Sequence, residues 1–147
     1  MDRAQLDAAY NNTAAVPARD AIVADWAARS AQVRRERGGH LDLRYGDSPR
    51  EQIDLLLAAE PNAPTLAFIH GGYWQMNDKE GTTFLAEGVL PHGINFALIE
   101  YTLAPAARMD RIVGEIRRAS AGCTSISAIT GPIPRRSMLL AILPAAI

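Results

Sequence analysis

The run Thr65-Leu66-Ala67-Phe68-Ile69 constrains the fold more than any other part of this sequence. Five apolar or β-branched residues without alternation are what a strand buried on both faces requires, and such strands belong to parallel sheets flanked by helices. The run stops abruptly at His70-Gly71-Gly72. Two glycines directly after a strand let the backbone turn sharply and bring consecutive N–H groups close to a ligand, because no Cβ stands in the way. N–H groups directed at one point stabilise the oxyanion that develops when an acyl group is transferred.

The flanking sequence fits an α/β pattern. Asp2 to Arg37 is Ala-rich and helical in tendency, with a partial apolar stripe of Leu6, Tyr10, Val16, Ile22, Val23, Trp26 and Val33. Pro17 interrupts it, and Asn11-Asn12-Thr13 is turn and cap chemistry. The stronger helix is Asp20 to Arg37, stopped by Gly38-Gly39. Leu41 to Tyr45 alternates as a half-buried strand, Gly46-Asp47-Ser48-Pro49 is a turn, and Ile53 to Ala58 is a second short apolar run. After the His-Gly-Gly turn, Glu80 to Leu90 is expected to be a helix, Ile94 to Ile99 a buried strand, and Arg108 to Ala119 an amphipathic helix with Met109, Ile112, Val113 and Ile116 on one face. Two short strands followed by strand–helix–strand–helix describe an α/β sheet that becomes parallel.

Composition excludes several function classes. Fifteen Lys and Arg stand against sixteen Asp and Glu, a formal net charge of -1, so no basic surplus argues for nucleic acid. The N-terminus carries Asp2, Arg3 and Asp7 without an apolar stretch to serve as a secretory signal, and Met138 to Ile147 is half a membrane span and contains Pro144. A cytoplasmic protein without membrane partners is expected. The single Cys123 excludes an internal disulfide and has no His or Asp pattern beside it. No cluster with metal-ligand spacing stands out, so neither a metal nor another cofactor is expected. His40 and His92 sit beside glycines in turns and are expected to face solvent.

Several segments resemble the bacterial arylformamidase (kynurenine formamidase-like) and carboxylesterase group of α/β-hydrolases. They are Tyr10-Asn11-Asn12 with Val16-Pro17, Trp26 with Ser30, Tyr45-Gly46 with Asp54, Phe68 to Trp74, and Glu100-Tyr101-Thr102-Leu103-Ala104-Pro105. The last resembles an Asp-Tyr-Arg-Leu-Ala-Pro segment of that family, from which Glu100 and Thr102 depart. The likeness runs from residue 4 to 119. It implies an incomplete α/β-hydrolase fold: the N-terminal strands and helices of a central, mostly parallel sheet over residues 1–119, then a tail over 120–147 outside the family pattern. It also implies that the backbone N–H groups of Gly71, Gly72 and Tyr73 line an oxyanion hole. Tyr73 and Trp74 would wall a substrate pocket, or else pack the loop. His70 would brace the loop rather than act as a base. The substrate would be a small ester or formamide. A hormone-sensitive-lipase-like esterase is a weaker resemblance, since a further Gly usually stands where Tyr73 does.

The catalytic nucleophile of such a fold, a Ser on a Gly-x-Ser-x-Gly turn followed by an acid and a His, is missing. Ser120, Ser125, Ser127 and Ser137 lack flanking glycines, and no His follows His92. A slipped reading frame near Ala119 would account for this. With permissible codons, Ala121 to Cys123 can become Trp-Leu, Thr130 to Pro134 can become Gly-Ala-Asp-Pro, and Leu140 to Ala146 can become Gly-His-Ser-Ala-Gly-Gly. A frameshifted or truncated, catalytically inactive product, or a non-enzymatic binding module, is therefore the alternative to a working hydrolase.

Overall fold

The computed structural model describes residues 2–11, 14, 16–125 and 138–142. Three helices are present among them: α1 (Arg3–Tyr10), α2 (Arg19–Arg37) and α3 (Met109–Ser125). Five strands, β1 (His40–Arg44), β2 (Gln52–Leu56), β3 (Thr65–Ile69), β4 (Asn95–Ile99) and β5 (Met138–Ile142), form one sheet in the order β1-β2-β4-β3-β5. The β1–β2 and β2–β4 pairs are antiparallel, and β3 is parallel to both β4 and β5. The sheet is thus mixed, with β3 at the centre of its parallel half.

Register determines where the site lies. Ile69 pairs with Ile99 on β4 and with Ile142 on β5, so three parallel strands end at one edge. Antiparallel β2 begins there, with Ile53 opposite Ile99. Sequences that follow β3 and β4, and the one that precedes β2, therefore meet at a single rim. The tail expected to break the α/β pattern supplies β5, beside β3, at Met138–Ile142. The residues between α3 and β5, and those after Ile142, lie outside the described part.

Both faces of the sheet are apolar, which is why β3 shows no alternation. Ile53, Leu55, Ala67, Ile69, Ala97 and Ile99 pack on one face against Ile112 and Ala119 of α3. Leu56, Phe68, Phe96 and Leu98 pack on the other against Val33 of α2 and against Ala86 and Leu90. The α3 face differs from expectation. Met109 and Val113 are exposed, and the buried positions are Ile112, Glu115 and Ala119, with Ile116 partly buried. The early apolar stripe is also largely outside: Leu6, Tyr10 and Val23 are exposed, and Ser30 and Val33 alone are buried in α2.

Two further departures have local causes. The strict alternation of β1 would put Leu41 and Leu43 on one face. Instead Leu41 joins the α2-side core and Leu43 the α3-side core. A bulge between His40 and Leu43 separates them, with Asp42 at φ 57°. Asp54 Oδ1 holds the Asp42 N–H at 2.7 Å. The expected helix from Glu80 is a 3-10 helix, Glu80–Gly88, followed by a single turn at Leu90–His92. Gly81 and two threonines are poor helix formers, and the Thr82 and Thr83 hydroxyls both donate back to the Lys79 carbonyl, at 3.1 and 3.0 Å. Trp26 stacks on Phe84 of this segment at 5.3 Å, Arg29 lies over the same ring, and the Ser30 hydroxyl donates to the Gly81 carbonyl and accepts from the Phe84 N–H.

A buried ionic cluster ties α2 to the sheet. The Lys79 side chain is 1% exposed, with Nζ at 2.6 Å from Asp42, 3.0 Å from Asp54 and 2.5 Å from Glu80. Arg34 of α2 pairs with the other oxygen of Asp54. Burial opposes the charge on Lys79, but hydrogen bonds to the three carboxylates outweigh it and hold the ammonium above its ordinary range. Asp42 and Glu80 reach solvent, but Lys79 and Asp54 do not, so removing Asp54 leaves the buried ammonium without its buried partner. Asp54→Ala is expected to cost about 3–5 kcal/mol in urea denaturation. Removal of Asp7, whose pair with Arg3 is exposed, should leave the urea midpoint where it is.

Candidate active site

The His70–Trp74 turn sits where β3 leaves the sheet, and its backbone is unusual. Gly72, Tyr73 and Trp74 have φ of 122°, 52° and 62° in succession. A Cβ on Gly72 would stand 2.1 Å from the Met76 carbonyl oxygen, so glycine is required there for both space and φ.

Three consecutive carbonyls in this turn are tied down. The His70 carbonyl accepts from the Tyr101 hydroxyl at 3.0 Å. The Gly71 carbonyl lies 2.9 Å from His70 Nδ1 and accepts from Asn77 Nδ2 at 3.2 Å. The Gly72 carbonyl accepts from the N–H groups of Gln75 and Met76, at 2.8 and 3.0 Å. In a trans peptide the N–H of the next residue points opposite to the carbonyl. Fixing the carbonyls of His70, Gly71 and Gly72 therefore fixes the direction of the N–H groups of Gly71, Gly72 and Tyr73. Among the described residues, none of these three N–H groups donates a hydrogen bond. They are oriented donors without an acceptor among the described residues.

Glu100 holds the turn from behind. Its Oε1 accepts from His70 Nε2 at 3.0 Å, Arg50 Nη2 at 2.6 Å and the Tyr101 N–H at 2.9 Å, and its Oε2 accepts from the Lys79 N–H at 3.0 Å. Burial alone would favour the neutral acid. The hydrogen bonds and the charge of His70, with the two backbone donors, overcome it and hold the carboxyl below the usual glutamate range. Arg50 also donates to the carbonyls of Tyr101 and Asn77, at 2.9 and 2.8 Å. Burial, with Glu100 nearby, pushes the Tyr101 hydroxyl up to about 12, so it remains a donor.

The residues singled out in the sequence separate here. His70 is 1% exposed and stacks on Tyr101 at 4.5 Å. Trp74 is half-buried, tilted against Tyr101 at 5.7 Å, and its carbonyl accepts from the Ala104 N–H. Tyr73 is 60% exposed and points away from this packing. The two aromatics, given one role by sequence, thus occupy two environments. His40 and His92 are exposed. The side chain of Cys123 lies outside the described residues. Glu100 and Thr102, the two departures from the family segment, are both engaged. Thr102 shares a 2.7 Å hydroxyl contact with Ser48, and its N–H donates to Glu115 at 2.7 Å. Arg50 and Asn77 went unrecognised in the sequence because neither belongs to a spaced motif; register and the turn after Gly72 bring them in. Asp42, Asp54 and Glu80 present carboxylate oxygens within 4.8 Å of one another, a grouping that could hold a cation, and the Lys79 ammonium is the cation among them.

Gly72→Ala should destabilise the fold by at least about 2 kcal/mol in a denaturant titration. Gly88→Ala, where a Cβ meets nothing within 4 Å, should change it by less than about 1 kcal/mol. Glu100 also gives a pH dependence of known sign. Its folded value is depressed, so its contribution is complete above the ordinary value of about 4.3 and is lost as pH falls through the folded value. Replacing Glu100 with Gln is expected to flatten the stability profile between about pH 5 and pH 3.

No family model matches the chain. A kynurenine formamidase of Danio rerio is 33% identical over 81 residues, which are 54% of this chain and 28% of that protein. The crystal structure of a candidate thioesterase from a Silicibacter species superposes with a TM-score of 0.82 at 31% identity, covering 96% of this chain and 52% of that one. Esterase B of Lactobacillus rhamnosis superposes at 0.65 with 20% identity, covering 86% of this chain and 44% of that one, which is a likeness of fold. The chain spans about half the length of these structures and less of the formamidase. Over that span the chain is similar in sequence to kynurenine formamidases, and its fold is that of α/β-hydrolase esterases.

Proposed function

We propose that Gly71, Gly72 and Tyr73 are the oxyanion-accepting half of a hydrolase site for a carboxylic ester or an aryl-formamide, cleaved through a serine acyl-enzyme. One observation carries this reading: three consecutive N–H groups are held in fixed directions by tethered carbonyls and have no internal acceptor among the described residues. Donors arranged before the reaction need no reorganisation when charge develops, and removing one typically costs about 2.7–4 kcal/mol in the transition state. The two substrate classes come from the relatives, a kynurenine formamidase and an esterase. In this reading exposed Tyr73 offers a wall for an aryl or acyl group, Trp74 anchors the turn against Tyr101, and buried His70 shapes it without abstracting a proton.

A second reading, that this chain is catalytically silent, is favoured by the end of β5. A nucleophile in this fold stands on the turn that follows a strand. Ile142 lies beside Ile69, so residues following β5 start next to the residue before His70. The sequence there is Leu143-Pro144-Ala145-Ala146-Ile147, without Ser, Thr or Cys. The frame-shifted reading would write Gly-His-Ser-Ala-Gly-Gly across Leu140 to Ala146, at the end of the strand where a nucleophile would face the oxyanion turn.

Two experiments separate the readings. The purified 147-residue chain is expected to hydrolyse a nitrophenyl ester and N-formylkynurenine at no more than the buffer rate. A measurable rate that Gly72→Pro abolishes would instead establish a working site. Sequencing the coding DNA is expected to reveal a single-base change near Ala119 that opens onto a downstream Ser, acid and His frame, and an unbroken original frame would sink that explanation.

A further inference from the structure

The His70 ring is buried, and both of its nitrogens face oxygen atoms that can only accept. Nδ1 lies 2.9 Å from the Gly71 carbonyl oxygen and Nε2 lies 3.0 Å from Glu100 Oε1. A carbonyl has no proton to give. Glu100 has none either while ionised, and its surroundings keep it so: Oε1 takes donors from Arg50 and Tyr101 besides His70, and Oε2 takes the Lys79 N–H. A neutral imidazole has one N–H. Either tautomer would leave a nitrogen lone pair set against an oxygen lone pair at about hydrogen-bond distance, in a site where burial makes an unsatisfied contact costly.

We infer that His70 is held as a doubly protonated imidazolium, clamped between the Glu100 carboxylate and the Gly71 carbonyl, and that this buried cation is a positioning residue for the N–H groups of the turn. The groups facing it divide as follows. Glu100 supplies the negative charge. Tyr101 stacks on the ring at 4.5 Å as a neutral phenol, an aromatic face that attracts a cation. Arg50 opposes the charge from the far side of Glu100 Oε1, but its side chain is 35% exposed and partly screened by water. Lys79 presents only its backbone N–H to this cluster, because its ammonium is engaged by Asp42, Asp54 and Glu80.

The charge has a consequence for the proposed site. A donating Nδ1–H draws the Gly71 carbonyl toward His70, and the Gly72 N–H then points the opposite way. A positive charge behind that peptide also favours an anion in front of it. This consequence rests on reading the turn as an anion acceptor; the protonation state does not.

Histidine-labelled full-length chain, observed by long-range proton–nitrogen NMR, tests the inference without any substrate. The three rings are assigned with His40→Gln and His92→Gln, both at exposed positions. At about pH 7.5, a full unit above the ordinary histidine value, two protonated ring nitrogens are expected for His70 while the other two rings are mostly neutral. A bare nitrogen on His70 at that pH overturns the inference, whatever becomes of the variants. Glu100→Gln is expected to abolish the second ring proton in folded protein; if both protons persist there, Glu100 is not what holds the charge. Because the readout is a ring nitrogen, it fails or succeeds independently of the turnover assay.

Discussion

The carboxylate of Glu100 is the contact on which the site depends. It is buried at the sheet rim and accepts four donors from four places in the chain: the His70 ring after β3, Arg50 before β2, the Lys79 N–H beyond the glycine turn, and its own neighbour Tyr101. Without these partners a buried carboxylate would be costly, and without Glu100 a buried ring and an arginine would lose their acceptor. The rim is therefore a mutually dependent set of groups. The glycine turn depends on it in part: the His70 and Gly71 carbonyls are held by Tyr101, His70 and Asn77, each connected to that carboxylate directly or through Arg50, while the Gly72 carbonyl is held within the turn by Gln75 and Met76.

A second ionic cluster does structural work one layer away. Asp54 sits in the middle of β2 among apolar neighbours and binds Arg34 of α2, Lys79, and the bulged Asp42 N–H. It joins helix, sheet and the loop leading from the turn, so the same Lys79 serves both clusters, the first through its backbone and the second through its side chain. That sharing couples placement of the glycine turn to placement of α2. It also shows why a group of three carboxylates need not mean a metal: an ammonium on the chain already sits among them, and Arg34 adds a second positive charge at Asp54.

The proteins this chain resembles are about twice as long or more. The structure adds a division of labour within the matched motif. His70 and Trp74 face inward and support, Tyr73 faces outward, and the backbone between them presents its donors. A motif read as five residues in a row is thus two layers, one packed inward and one facing out.

Much of this was legible in the residues. β3 has the predicted bounds, β4 begins one residue later than predicted, and the glycine turn was placed correctly because a doubly buried strand and a glycine pair are local signals. The sequence also showed that no Gly-x-Ser-x-Gly occurs and that His40 and His92 face solvent, although His40 opens β1 and His92 closes a 3-10 turn rather than standing in loops. Tertiary structure alone decided the rest. Whether Val113 or Glu115 faces the core, and whether Leu41 and Leu43 share a face, depended on partners outside the element itself, the Thr102 N–H for Glu115 and Asp54 for the bulge. Arg50, Asn77 and Glu100 became one site because strand register brings four chain segments to the same rim, and register is set by packing between elements rather than by any spacing along the chain.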